Sequence, residues 1–416
     1  MKIAIVGTGI SGLVAAHQLH GDHDISLFEA GNAIGGHTST VEVEHDTGRY
    51  FVDTGFIVFN EATYPNFVKL IRHLGVAYRP TSMSFSVRCE RTGLEYGSAS
   101  LDSIFAQRRN LLRPRFLRML REILRFNREG KRLLEDGADG SDLGSVLEAG
   151  RYSDDFVSYY IVPLGAAIWS TNPSRMREFP ALFFLRFLDN HGLLSVKDQP
   201  EWQVIDGGSQ RYVEALIRPY RDRIRVRTPV RKVRREHDRI VISPAGGADE
   251  SFDHVVLATH SDQALAVLED PSDAERELLA AIPYQENDVV LHTGAALLPR
   301  SRRAWASWNY HVPVEPRERA VLTYHMNTLQ RIDAPENFCV TLNRTDEIDP
   351  DRIITRQTMA HPVYLPGSFE AQQRHGEISG VRRTHYCGAY WANGFHEDGV
   401  KSALAACDWF GKGQLN

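Results

Sequence analysis

Apolar and polar positions at the start of the chain follow two periods, which predict a strand, a helix and a second strand. Lys2–Val6 is a nearly continuous apolar run, as expected for a parallel strand covered on both faces. Ser11–His20 carries its apolar residues at helical spacing, and Asp24–Phe28 is the next apolar run. A β-α-β unit of this kind opens a doubly wound fold.

The rest of the chain changes pattern twice. Helical spacing marks Tyr64–Leu74 and a basic segment near residues 110–134, and a polar break follows at Glu135–Gly144. An α/β pattern returns near Trp202, and aromatic residues alternate after Pro271. Further strands are expected at Ile224–Arg227, Arg239–Ile242, residues 255–258, Asp288–His292, Ala320–Met326 and Thr384–Cys387, and further helices at Gln210–Tyr220 and Gly399–Phe410.

These patterns predict an α/β fold of two domains, each assembled from separate stretches. A Rossmann-type nucleotide-binding domain comprises residues 1–60, 203–267 and 378–416, and an α+β second domain comprises residues 61–202 and 268–377. A chain of 416 residues is long enough for two cores.

Composition narrows the class of protein. The net charge of −5 gives no global attraction to nucleic acid, so no nucleic-acid partner is expected. The four cysteines include no CxxC pair, which predicts neither a disulfide framework nor a metal site. There is no secretory signal, and no apolar run approaches the ~20 residues of a membrane span. A cytoplasmic protein is expected, with peripheral contact to the inner face of the membrane left open.

Residues 7–12 form the pattern G-x-G-x-x-G between the first strand and the first helix. Gly7 permits the tight turn, Gly9 lets the backbone approach a diphosphate, and Gly12 allows close helix–strand packing. The diphosphate would lie at the positive end of the helix. Glu29 ends the second strand, where a carboxylate binds ribose hydroxyls. This combination predicts dinucleotide binding.

Two further glycine-rich segments favour FAD over NAD. Gly35 and Gly36 follow Glu29 closely and allow the backbone to approach a phosphate from the other side. Near the C-terminus, residues 388–400 lead through small residues into a helix, whose N-terminus can stabilise negative charge on a reduced flavin.

Together these segments resemble the flavin amine oxidase and phytoene desaturase superfamily. In that family the pattern E-x5-G-G-R follows the dinucleotide motif, and a C-terminal glycine segment completes the flavin site. Residues 206–209, 228–230 and 256–260 resemble its middle GG turn, its adenine contact and its returning strand. The motifs and the resemblance imply FAD contacts from Gly7, Gly9, Ile10, Ser11, Gly12, Glu29, Ala30, Gly35, Gly36, His37, Thr38, Gly55, Phe56, Ile57, Val230, Thr259, Gly388, Phe395, His396, Gly399 and Val400.

Two departures from the family pattern argue against amine oxidation. His37 stands where the family usually has arginine, so a titratable group replaces a permanent charge. Phe395 stands where amine oxidases tend to have a tyrosine of the aromatic cage. No match to their flavin-proximal lysine is found.

A second resemblance covers most of the chain. Residues 36–38, 54–60, 323–327 and 386–399 resemble bacterial flavoproteins associated with cyclopropane-fatty-acid-synthase-like methyltransferases. Some of these are implicated as desaturases of methylated acyl chains on the route to furan fatty acids. The resemblance implies a fatty-acyl or phospholipid substrate, and an acyl-chain methyltransferase as functional partner.

The basic segment Arg108–Arg132 could determine whether the protein meets such a substrate at a membrane surface. It contains ten cations and two acids, a balance of 10 − 2 = +8, with apolar residues from Leu112 to Asn127 on one helical side. It predicts binding to an anionic membrane surface, a solvated helix face over the core, or a protein–protein contact. The cluster of Trp305, Trp308 and Tyr310 lines an acyl channel or packs in the core. The arginine-rich stretch Arg221–Arg235 is predicted to form exposed strand edges.

The resulting hypothesis is hydride transfer from an allylic carbon to the flavin, with a base removing the neighbouring proton. His396, Glu397 and His37 are candidates for that base, or they contact only FAD or the surrounding structure. Amine oxidation, acyl-chain isomerisation on reduced FAD and non-catalytic lipid binding remain alternatives.

Overall fold

A computed structural model describes residues 1–137, 140–195 and 199–415. The strands in these ranges are β1 (Lys2–Val6), β2 (Asp24–Phe28), β3 (Thr40–His45), β4 (Gly48–Asp53), β5 (Val58–Asn60), β6 (Tyr78–Thr81), β7 (Phe85–Cys89), β8 (Glu95–Gly97), β9 (Trp202–Ile205), β10 (Ile224–Arg225), β11 (Val230–Arg235), β12 (Ile240–Pro244), β13 (Glu250–Phe252), β14 (His254–Leu257), β15 (Tyr284–Thr293), β16 (Trp308–Val312), β17 (Leu322–His325), β18 (Phe338–Leu342), β19 (Ile353–Pro362) and β20 (Thr384–Tyr386).

The α-helices in the same ranges are α1 (Ile10–Leu19), α2 (Pro65–His73), α3 (Leu101–Ile104), α4 (Pro114–Asp136), α5 (Leu143–Ala149), α6 (Asp154–Phe156), α7 (Val162–Trp169), α8 (Ala181–Asn190), α9 (Gln210–Ile217), α10 (Ser261–Val267), α11 (Asp273–Ala280), α12 (Met326–Leu329), α13 (Pro366–Gln373) and α14 (His396–Asp408). None of these helices is long and apolar enough to cross a membrane.

The first domain is built on a five-stranded parallel sheet in the order β10-β2-β1-β14-β20. β1 lies between β2 and β14, with Ile3 opposite Ile25. Ile3 and Ile5 face a core shared with α1 and α14, whereas Ala4 and Val6 face a core shared with β11, β12 and β13. Burial on both faces explains the continuous apolar run of β1. The predicted α/β class is confirmed.

The second domain is built on a seven-stranded sheet in the order β19-β15-β18-β17-β16-β7-β8. Its pairs are antiparallel except β16 with β7. α4, α7 and α8 supply Phe126, Trp169 and Phe184 to a core that also contains Tyr310 of β16. Trp308 of the predicted aromatic cluster packs against Tyr324. Its third member, Trp305, contacts His325 instead.

The long basic helix is confirmed, but it starts later than expected. Arg108–Leu112 forms a 3-10 turn, and α4 begins at Pro114, whose fixed φ suits the first helical position. Phe116 and Asn127 of the predicted apolar side are buried, and so is Phe126. Leu112 is 87% exposed, because the turn carries it away from the apolar face of α4.

α2 packs on the core of the first domain, although the sequence assigned its residues to the second domain. Its residues Phe67, Leu70 and Ile71 belong to the first core, together with α1 and α14. A small sheet in the order β5-β9-β6 lies beside it, with β9 antiparallel to both neighbours. Residues 58–81 therefore form the junction between the two domains.

Arg235 corrects the prediction of exposed strand edges for Arg221–Arg235. Its side chain is 1% exposed and pairs with Glu275, with Nη2 2.9 Å from Oε2. The hydroxyl of Tyr386 donates to the same carboxylate at 2.6 Å. Burial raises the pKa of Glu275, but hydrogen bonds from Arg235 and Tyr386 outweigh it and hold that pKa at about 2. β11, α11 and β20 are thereby fixed together.

We predict that Arg235→Gln destabilises the protein by about 3–5 kcal/mol, because it leaves the Glu275 carboxylate buried without its cation. The measurement is urea unfolding at pH 7, followed by circular dichroism. Arg234→Gln is the matched control, since its side chain is 45% exposed and its ion pairs with Glu236 and Asp249 lie at the surface. Equal midpoints for the two variants would contradict the structural role of Arg235.

Candidate functional site

The first loop of the site is shaped by contacts that only glycine allows. A Cβ atom on Gly7 would lie 2.6 Å from the carbonyl oxygen of Ala258, and one on Gly12 would lie 2.0 Å from the oxygen of Gly7. Gly7 also has φ of +103°. Gly9 differs, since no atom lies within 4 Å of its ideal Cβ position. The loop is closely packed behind Gly7 and Gly12 and open beside Gly9, where a diphosphate would pass.

Glu29 joins this loop to the end of β2. One carboxylate oxygen accepts from the backbone N–H of Gly31 at 2.7 Å. The other accepts from the N–H of Thr8 at 3.1 Å and from the Thr8 hydroxyl. The N–H of Thr228 donates to the backbone oxygen of Glu29 at 2.8 Å and brings the segment before Val230 alongside. The acid predicted to bind ribose thus also braces the glycine loop.

The second glycine-rich segment lies directly against the first. The N–H of Gly35 donates to the oxygen of Thr8 at 3.1 Å. Gly36 has φ of +59°, and a Cβ on it would lie 2.9 Å from the Cα of Gly9. Because Gly36 touches Gly9, His37 is placed next to the loop that is open for a diphosphate.

The C-terminal helix α14 completes the arrangement. A Cβ on Gly399 would lie 2.6 Å from Cγ2 of Ile10, and the hydroxyl of Ser11 donates to the oxygen of Gly399 at 3.0 Å. Val400 is fully buried in the core that also contains Ile10. The N-termini of α1 and α14 therefore meet, and both carry partial positive charge. Three stretches that are distant in the sequence converge here.

The other predicted contact residues are distributed around this convergence. Gly55 packs on the backbone oxygen of His37, and Thr259 packs on Gly7. The N–H of Gly388 donates to the hydroxyl of Ser402 at 3.0 Å. Ala30 is exposed, Val230 begins β11, and Ile57 packs in a core of the second domain with Val289 and Met359.

His396 is the first residue of α14, and its ring is fixed by stacking and by hydrogen bonds. Its ring stacks on Phe56, with centroids 3.6 Å apart and planes 5° apart. Its Nε2 lies 2.8 Å from the hydroxyl of Tyr212 and 3.1 Å from that of Thr38. Burial, followed by the charge of His37, lowers the pKa of His396 well below its ordinary value. The imidazole is therefore neutral and connected to two hydroxyl groups that can relay a proton.

Glu397 has a different environment from its neighbour. One carboxylate oxygen accepts from the side-chain amide of Asn66 at 2.6 Å and from its backbone N–H at 3.2 Å. The other accepts from the N–H of Phe67 at 2.9 Å. These donors form the first turn of α2, so Glu397 caps that helix and complements its dipole. This geometry favours a structural role over that of a base.

His37 belongs to a half-buried group of histidines that the sequence did not indicate. Its ring lies 5.8 Å from that of His260 and 5.3 Å from that of His361. The side-chain amide of Asn287 lies 2.9 Å from Nδ1 of His361. Burial lowers the pKa of all three histidines, to about 4 for His260 and about 3 for His361. The group is neutral in the free protein.

His260, His361 and Asn287 were missed because no motif contains them together. His260 follows β14, while Asn287 and His361 lie on the neighbouring strands β15 and β19 of the second domain. The sequence signal of Asn287 and His361 is a polar residue within a strand. That signal can be interpreted only when the pairing of the two strands is known. Tyr212 was likewise predicted only as part of a helix.

Comparison with known proteins identifies a family model and solved structures that match this chain. A family model described as flavin containing amine oxidoreductase matches residues 10–293. No curated protein matches the chain by sequence. Solved structures that match include cyclohexylamine oxidase from Brevibacterium oxydans IH-35A, with 16% identity, 99% of both chains covered and a TM-score of 0.70. At that identity the likeness shows the fold alone.

Two further solved structures with this fold are enzymes that act on different classes of substrate. Putrescine oxidase bound to putrescine has 14% identity, 99% of both chains covered and a TM-score of 0.69. A CLA-producing fatty acid isomerase from P. acnes has 17% identity, with 99% of this chain and 98% of that chain covered and a TM-score of 0.63.

The cofactor is FAD, and the residues of the convergence suit it. The glycine loop and the two helix N-termini offer N–H groups to a diphosphate. Nε2 of His37 and the hydroxyl of Tyr364 are buried without a hydrogen-bond partner among the described residues. Orphaned buried polar atoms are rare in folded proteins, so a ligand here would satisfy them. Gly9, Gly36, His37 and the first turn of α14 are the residues we expect to hold FAD.

We predict that FAD binding takes up a proton at His37. Burial lowers the pKa of His37 in the free protein, and an adjacent diphosphate would raise it. Between those two pKa values, affinity should fall by up to about tenfold per pH unit as the pH rises. The measurement is FAD titration by flavin fluorescence from pH 5.5 to 8.5.

His37→Gln should bind FAD more weakly and lose this slope. His260, His361, His396 and Tyr284 also face the region, so His260→Gln and His361→Gln are titrated in parallel. His45→Gln, in the β3–β4 hairpin, serves as control. A slope that persists in His37→Gln would assign the proton to another of these groups.

Proposed function

This chain belongs to the flavin containing amine oxidoreductases, and from that premise we propose that it desaturates a methylated, unsaturated fatty-acyl chain of a membrane phospholipid. The family model matches 284 of 416 residues, from 10 to 293. Membership makes the chain an FAD-dependent oxidoreductase. The acyl substrate is the further step, which the side chains beside α14 support.

The observation that carries the proposal is the aromatic cluster next to the N-terminus of α14, whose members are buried or half-buried. Phe395 stacks on Phe187 of α8 with ring centroids 4.9 Å apart, and Phe187 lies 4.8 Å from Trp169. Phe183 of the same helix lies 4.3 Å from Phe369. The phenylalanine rings suit contact with an apolar chain, because they offer a large hydrophobic area without hydrogen-bonding groups.

The reaction requires one hydride acceptor and one base. FAD supplies the hydride acceptor when it is bound. Two C–H bonds break and one C=C bond forms, and the proton leaves to a side chain. His396 is the candidate that the geometry favours, because its imidazole is neutral and its Nε2 is connected to Tyr212 and Thr38. His37 remains a second candidate, since its Nε2 has no partner among the described residues.

The test is anaerobic mixing of the oxidised holoenzyme with liposomes that contain methylated, mono-unsaturated acyl chains. We expect loss of oxidised-flavin absorbance and one diene per flavin reduced, measured by lipid mass spectrometry. Liposomes with unmethylated chains provide the comparison. A flavin that stays oxidised with methylated chains but bleaches with putrescine or another amine would favour amine oxidation. A double bond that moves only after prior flavin reduction would favour an isomerase.

We predict that His396→Gln retains FAD but bleaches about 10²–10⁴-fold more slowly, the range for removal of a general base. Because burial lowers the pKa of His396 well below 6.5, the wild-type base stays unprotonated and the rate should not fall between pH 8 and pH 6. His45→Gln should behave as wild type. A His396→Gln enzyme with full rate and full FAD content would remove His396 as the base.

A further inference from the structure

One face of the second domain combines solvent-exposed leucines with cations that have no acidic partner in the described part of the chain. The cations lie along α4 and at its N-terminus, three of the leucines lie near that N-terminus, and Leu124 lies in the middle of the helix. We refer to the set as the α4 patch; it consists of Leu101, Leu111, Leu112, Arg113, Arg121, Leu124, Arg128, Lys131 and Arg132.

Several basic side chains of α4 are already paired and are not part of the patch. Arg115 pairs with Asp155 at 2.8 Å, and Arg118 pairs with Glu122 at 3.0 Å. Arg125 lies 3.8 Å from Glu129. By contrast, no acidic group lies within ion-pair distance of five cations in the described ranges, namely Arg113, Arg121, Arg128, Lys131 and Arg132.

Helical spacing directs the unpaired cations away from the core. Arg121, Arg128 and Arg132 recur at intervals of seven and four residues, which places them on one face of α4. Phe116 and Phe126 on the opposite face are buried. The two acids at the end of the helix, Glu135 and Asp136, mark where the positive face stops.

The leucines are exposed to an unusual degree. Leu112 is 87% exposed, Leu101 75%, Leu124 52% and Leu111 49%. The turn that contains Leu111 and Leu112 is held beside α3, because Arg108 pairs with Asp102 and donates to the oxygen of Phe105 at 2.9 Å. Single exposed leucines are ordinary, but this corner adds three to a row of unpaired cations.

We propose that the α4 patch docks the enzyme on an anionic lipid bilayer, with the cations on the headgroups and the leucines inserted between acyl chains. Each cation near such a surface strengthens binding about fivefold. Each leucine that leaves water for the acyl region strengthens it further, because burial of an apolar side chain is favourable. Phosphates of an RNA would match the cations, but they would leave the leucines in water, so charge and apolarity together favour the bilayer.

The inner face of α4 connects the docked surface with the site. A Cβ on Gly130 would lie 2.8 Å from Leu185 of α8, so the two helices are in close contact. Phe187 of α8 stacks on Phe395, which precedes His396. Two packed helices, α4 and α8, therefore lie between the bilayer-facing surface and the candidate site. The docking itself does not depend on which substrate is oxidised.

The experiment is sedimentation of the FAD-loaded full chain with vesicles of phosphatidylcholine alone or with 30% phosphatidylglycerol. The charge variant combines Arg121→Gln, Arg128→Gln and Arg132→Gln. The control variant combines Arg218→Gln, Arg221→Gln and Arg231→Gln, which are exposed cations of the first domain. The apolar variant combines Leu111→Ser and Leu112→Ser. Flavin spectra and melting temperatures report whether each variant remains folded.

Wild-type protein and the control variant should bind the anionic vesicles more tightly than the neutral ones, and salt should weaken this preference. The charge variant should bind about 100-fold more weakly, which is three contributions of about 1 kcal/mol each. The apolar variant should lose the binding that remains at high salt. Equal affinity of the charge and control variants, or tight binding to a single-stranded RNA without vesicle binding, would overturn the proposal. Neither result would bear on acyl desaturation, which is measured separately.

Discussion

The site depends on backbone segments that approach more closely than any side chain permits. Gly12 lies against Gly7, Gly36 against Gly9, and Gly399 against Ile10. A methyl group on Gly7, Gly12, Gly36 or Gly399 would overlap backbone or buried side-chain atoms, and the loops would have to separate. Their close packing brings the N-termini of α1 and α14 together, which concentrates partial positive charge and free N–H groups where a diphosphate can bind.

A buried carboxylate ties that convergence to the second domain. Asp53 at the end of β4 accepts from the N–H of Ser209 at 2.8 Å, from the hydroxyl of Thr40 at 2.5 Å and from the amide of Gln330 at 2.6 Å. Burial raises the pKa of Asp53 to about 7, against the opposing effect of the bonds from Thr40 and Ser209. Gln330 lies beside α12, so the middle GG turn and the sheet of the second domain are positioned by one group. The two domains therefore share a support.

The parts that sequence predicted are those in which local residues determine local conformation. β1 and β2 have the predicted bounds, and the glycine segments lie together, because turn and close approach are encoded in the glycines themselves. The residues that sequence misjudged depend on remote partners. The charge pattern around Arg235 is typical of an exposed strand. Its side chain is nevertheless buried, because it donates to the carboxylate of Glu275, forty positions away in the sequence. His361 and Asn287 acquire their roles through the pairing of β15 with β19.

The histidines beside the glycine loop make the charge of the site depend on protonation, which the geometry of the glycines alone does not do. An arginine at position 37 would keep a full positive charge beside the glycine loop at every pH. His37, with His260 and His361 nearby, is instead neutral because burial disfavours three adjacent charges. An anion would then be met first by helix ends and N–H groups, and we expect positive charge at His37 to develop only when the anion binds. The same low polarity keeps His396 unprotonated. One environment thus makes the cofactor loop responsive to its ligand and leaves the neighbouring imidazole able to accept a proton.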